Sequence, residues 1–173
     1  MNRQQTRAAD KAASRAPPAP QRSTGDPRAA FTLIRSIKAK SSTEPMNKGQ
    51  LMDLALGYHG ALSSLMSGTG TADDCQTLAY ASNVAQILCE KGLGADELPG
   101  VQAAQEAIFM VHHRSKSSGR FVMTGAEIRA LQFLVDFHDA QLEHPKLTEG
   151  TIAWSQAHIR TRIAQGNVLE VAT

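Results

Sequence analysis

The chain has 173 residues and carries 18 Lys+Arg against 16 Asp+Glu, a formal charge of only +2. That length suits one hydrophobic core, no apolar run approaches the ~20 residues that span a bilayer, and an N-terminus of Arg, Ala, Gln, Ser and Pro lacks the apolar stretch of a secretory signal. The small net charge hides a split: residues 1–40 hold nine basic and two acidic side chains, net +7, and the rest hold nine basic and fourteen acidic, net −5.

Residues 1–30 contain no aromatic and no β-branched aliphatic side chain, so they bury too little apolar surface to offset the entropy of ordering and are expected to form a disordered basic arm. Asp10, Asp26 and the run Ala16-Pro17-Pro18-Ala19-Pro20 argue against the amphipathic helix of an organellar transit peptide. Residues 31–40 differ. Phe31-Thr32-Leu33-Ile34-Arg35-Ser36-Ile37 places four large apolar residues within seven, too short to fold alone and too apolar to remain in water without a partner surface. It reads either as an edge strand or as an extended peptide docked on helices, of its own body or of another protein.

From residue 41 onward a helical domain is expected. Leu51, Leu54, Ala55, Tyr58, Leu62 and Leu65 form a helical stripe closed by Ser67-Gly68-Thr69-Gly70. Gly57 and Gly60 inside this helix each cost about 1 kcal/mol relative to Ala, and close helix packing is the expected reason. Thr71 is a natural N-cap for a second helix, with Asp73 and Asp74 favoured at the positive end of its dipole. Its inward face is Leu78, Ala81, Val84, Ala85 and Leu88, with Gly92 as the stop. Cys75 and Cys89 lie fourteen positions apart on it, about 21 Å at 1.5 Å per residue, too far for a disulfide, so both read as reduced packing residues of an intracellular protein.

A third helix is expected from near Asp96 to Val111, with Pro99 in its first turn and Leu98, Val101, Ala104 and Ile108 on its stripe. The polar stretch His112–Arg120 is expected to follow it as a connection. Thr124-Gly125-Ala126-Glu127 is a capping box, the strongest local signal in the chain, opening a helix with Ile128, Leu131, Val135 and Leu142 inward and Pro145 behind it. A fifth helix, about Glu149–Gln165, presents Ile152, Ile159 and Ile163. Phe31–Ile37, Phe121–Met123 and Val168–Val171 are the only segments suited to extended structure. The fold class is therefore all-α, a single bundle of about five antiparallel helices behind a disordered basic N-terminal arm.

Familiar chemistries find little support. Ser67-Gly68-Thr69-Gly70-Thr71 precedes a helix but lacks the P-loop lysine and strand, and Asp73 and Asp74 would repel an anion. The six histidines show no Glu-x-x-His spacing. His138 continues a buried stripe and reads as a hydrogen-bonded core residue. Nothing resembles an activated nucleophile. No catalytic residue, metal or cofactor is expected. The leading reading is a non-enzymatic accessory or regulatory module that binds a protein partner or itself through Phe31, Leu33, Ile34 and Ile37. The alternative is a sequence-nonspecific nucleic-acid binder in which Arg3, Arg7, Lys11, Arg15, Arg22 and Arg28, with Arg114, Lys116 and Arg120, track phosphates.

Phe31–Ile37, Thr77-Leu78-Ala79 with Asn83-Val84-Ala85, and Phe137-His138-Asp139-Ala140-Gln141-Leu142-Glu143 together resemble a group of short, uncharacterised bacterial proteins often found near mobile elements, over most of residues 31–167. The resemblance implies a bacterial, cytoplasmic helical protein and carries over no activity and no functional residues.

Overall fold

The computed structural model describes residues 44–166 and Leu169, the side chain of Arg160 excepted. The basic arm, the Phe31–Ile37 segment and Val168–Val171, apart from Leu169, lie outside the described residues. Within them the chain is an all-α bundle of five helices: α1 Lys48–Met66, α2 Ala72–Glu90, α3 Leu98–Ser118, α4 Gly125–Leu142 and α5 Glu149–Ala164, with a single 3₁₀ turn at Ala95–Glu97 before α3.

Four of the five N-termini are set by polar side chains, and α3 opens instead on Pro99 in its first turn. Asn47, Thr71 and Thr124 accept from the backbone N–H three residues on, and the side chains of Gln50, Asp74 and Glu127 accept in return, three complete capping boxes. Thr148 caps α5 alone. An isolated bridge between Pro45 and Thr148, a Glu149 N–H bonded to the Glu44 carbonyl and a Gln50–Glu149 side-chain bond of 2.9 Å tie the entry to α1 against the start of α5.

α2 is the axis of the bundle and packs against each of the other four helices. Its expected inward residues Leu78, Ala81, Val84, Ala85 and Leu88 are all buried, and so are most of the others between Cys75 and Cys89. Such a helix is apolar nearly all round because it has neighbours nearly all round. Cys75 and Cys89 are both free and buried; burial pushes the Cys75 thiol up to about 12, aided by Asp74. The buried polar residue Asn83 is satisfied by the backbone of Leu169 (2.7 and 3.0 Å) and by Gln105 (3.1 Å), which fastens the C-terminal segment to α2 and α3. Lys91 lies over the Trp154 ring at 3.8 Å, and Arg162 pairs with Glu90, holding α5 to the end of α2.

Three expectations need correction. The third helix does not stop at Val111 but runs through Ser118, ending at Gly119 in the left-handed region (φ 68°). The polar residues His112–Ser118 continue the helix because His112 and Ser115 face the core, while Ser115, Ser117 and Ser118 satisfy their hydroxyls on backbone carbonyls of the same helix. Second, no backbone approaches Gly57 or Gly60: a Cβ at either would meet nothing within 4 Å. Close approaches occur instead at Gly70, against Leu65, and at Gly94 and Gly100, where a Cβ would fall 2.6 Å and 2.4 Å from the rings of Phe137 and Phe133. Those rings stack with centroids 5.7 Å apart and seat the start of α3 on α4. Third, Ile128 is only half-buried, unlike Leu131, Val135 and Leu142.

Candidate functional site

Along α1 the run Leu51-Met52-Asp53-Leu54-Ala55-Leu56 puts five apolar residues in six positions, more than one helix face can hold. Tyr58, Ala61, Leu62 and Leu65 turn inward and are buried. The surplus is left on the first half of the helix, where Met52 and Leu56 are 65% and 66% exposed. Between this face and the end of α4 runs a groove of about 610 Å³, walled by Leu51, Met52, Ala55, Leu56 and Leu142 and edged by Lys48, His59, Asp139 and Glu143. Isolated exposed leucines are ordinary; a contiguous apolar row in a concave surface marks an interaction site.

One polar constellation separates this groove from the interior. Asp139 on α4 accepts from the Tyr58 hydroxyl through one carboxylate oxygen and lies 2.8 Å from His59 Nε2 through the other. The Tyr58 ring sits 5.1 Å from His59 and 5.4 Å from His138. Burial and the adjacent carboxylate push the Tyr58 hydroxyl well above the ordinary tyrosine range, so it stays protonated and donates. A carboxylate orienting an imidazole is a component of acyl-transfer sites. Here both carboxylate oxygens are engaged by α1 side chains, and the arrangement fastens α1 to α4.

Behind Tyr58, between α1, α2, α4 and α5, lies a smaller and mostly apolar cavity of about 230 Å³ that reaches His138. His138 is buried and hydrogen-bonded to Gln141 at 3.2 Å, as the sequence implies. Gln141 in turn donates to the Ala85 and Leu93 carbonyls and to Cys89 Sγ.

Of the basic residues singled out from the sequence, Arg3, Arg7, Lys11, Arg15, Arg22 and Arg28 lie outside the described residues, as do Phe31, Leu33, Ile34 and Ile37. Arg114 forms a two-pronged pair with Glu127 and also donates to the Val122 carbonyl, closing the α3–α4 connection. Burial of Glu127 opposes its ionisation, but bonds from Arg114 and Thr124 outweigh it and hold the carboxyl below its usual range. Lys116 and Arg120 are exposed. The structure therefore spends one member of that cluster on the capping box of α4. Among the described residues no three His, Cys, Asp or Glu side chains group as a metal site requires, and no helix is long and apolar enough to cross a membrane.

The α1–α4 groove was not among the expected sites. Its signal was present in Met52 and Leu56, two apolar residues that fit no place in the buried stripe. Comparison with protein-family models, curated proteins and solved structures finds no match.

Proposed function

We propose that this chain is a protein-interaction module that self-associates, with Phe31, Leu33, Ile34 and Ile37 of a second copy seated in the α1–α4 groove. The observation that carries this reading is the exposed apolar row of Met52 and Leu56 in a concave surface of about 610 Å³. An extended apolar peptide is a suitable occupant for a groove of this kind, its side chains covering the exposed Met52 and Leu56.

Charge and chain path support the same occupant. Arg35 lies within the apolar segment and Lys38 and Lys40 follow it, and Asp139 and Glu143 stand on the groove's edge beside Lys48. Opposite charges at a rim set orientation and association rate more than affinity. The chain enters α1 at Lys48, which also edges the groove, and ten residues of sequence join Ile37 to it.

Light scattering of the full chain over a range of concentrations tests the proposal. A concentration-dependent dimer is expected, and Ile37→Asp and Leu56→Asp are each expected to give a monomer with unchanged helical circular dichroism. A wild-type chain that is monomeric at every concentration would sink the self-association.

A further inference from the structure

The cavity behind Tyr58 is separate from the groove, and its chemistry is more specific. Tyr58, Val84 and Ile152 give it an apolar floor, Asp53, Gly57, Thr77 and Tyr80 stand at its exposed mouth, and Gln156 is half-buried in its wall. At about 230 Å³ it exceeds the roughly 150 Å³ apolar cavity that suffices to hold a benzene ring.

One polar atom in this wall is committed by the network behind it. Gln141 Nε2 donates to the carbonyls of Ala85 and Leu93, at 3.2 and 2.8 Å, which fixes the amide with Oε1 toward His138 Nδ1. Facing an acceptor, Nδ1 carries the ring proton, and Nε2 holds a lone pair. Burial disfavours the imidazolium and keeps the ring neutral. Among the described residues every deeply buried side-chain nitrogen and oxygen has a hydrogen-bond partner. His138 is only 4% exposed and lines the cavity; among the described residues its hydrogen-bond partner is Gln141, through Nδ1, so Nε2 keeps some accessible surface. An acceptor lone pair at the edge of an apolar recess is satisfied by a ligand that brings its own donor.

We propose that this cavity binds a small, largely apolar ring compound carrying one O–H or N–H donor, of the phenol or indole class, with the donor directed to His138 Nε2. Gly57 acquires a reason on this account. It weakens α1 as a helix, and no neighbouring atom lies within 4 Å of where its Cβ would stand, so its lack of a side chain leaves the cavity mouth open.

Phenol, indole and anisole titrated into the labelled full chain, followed by amide and methyl NMR shifts, test the assignment. Phenol and indole are expected to shift signals of Tyr58, Val84 and Ile152, and to bind at least about tenfold more tightly than anisole, which fills the same space without a donor. His138→Phe is expected to abolish the preference for phenol over anisole. Gly57→Leu, which gains helix propensity and leaves His138 untouched, is expected to block all three compounds while the protein remains folded. Equal affinity for phenol and anisole, shifts confined to other regions, or no binding of any of the three would overturn the proposal.

Discussion

α1 and α2 are both nineteen residues long, and they divide the work of the molecule between them. Twelve residues of α2 are buried, against four of α1. α2 packs on every other helix, whereas α1 packs on α2 and α4, reaches α5 through the Gln50–Glu149 bond, and leaves an apolar face uncovered. Length and capping are alike in the two helices, so the difference lies in how many sides each has enclosed. The enclosed helix holds the fold together and shares the lining of the cavity; of the two, the half-enclosed one borders the groove. This contrast argues that stability rests mainly on α2 and self-association on α1.

The largest effects are expected in α2. Leu88→Ala removes a fully buried side chain from the axis of the bundle and is expected to lower unfolding free energy by about 3 kcal/mol, read from denaturant midpoints. A loss below about 1 kcal/mol would mean that α2 is not the hub. Asn83→Ala leaves the Leu169 backbone and Gln105 short of their buried partner, and is expected to cost about 1–3 kcal/mol in the same assay.

pH separates the core from the surface by a further route. Burial lowers the pKa of both His138 and His112 below the ordinary 6.5, so both remain neutral in the fold while the unfolded chain takes up protons. Their contribution to stability is complete above about pH 6.5 and is lost as pH falls below it, with a slope of at most about 1.4 kcal/mol per pH unit for each proton. Glu127, held below its usual value, adds a second decline beneath about pH 4.5. Urea midpoints from pH 7.5 to 4 should show the first decline reduced in His138→Gln; an unchanged profile would contradict the assignment. The smallest effect is expected on α1, where Leu56→Ala should change stability by less than about 0.5 kcal/mol.

Much of the fold was legible because its signals are local. Thr124 with Glu127, Thr71 before Asp73 and Asp74, and the Leu78–Leu88 stripe each act within one or two turns. The end of α3 is hard to read because Ser115, Ser117 and Ser118 have the composition of a loop, whereas burial of His112 and Ser115, which only the packed bundle supplies, carries the helix on to its stop at Gly119. The core role of His138 could be read from its stripe, but the Gln141 bond that fixes its tautomer depends on α2 and on Leu93, some fifty positions away. The groove and the cavity exist only where α1 meets other helices, and no pattern confined to one helix reports a gap between two.

The central claim is that the α1 face is covered in the associated protein, and methionine oxidation reads this directly. Met52 is 65% exposed on the isolated chain, more than Met66 at 49% and Met110 at 43%. Under mild peroxide at a concentration where the chain associates, Met52 is expected to form sulfoxide more slowly than Met66 and Met110, and to become the fastest of the three in Ile37→Asp. If Met52 oxidises fastest in the wild-type chain as well, in the order of bare exposure, the α1 face is uncovered and the account is wrong.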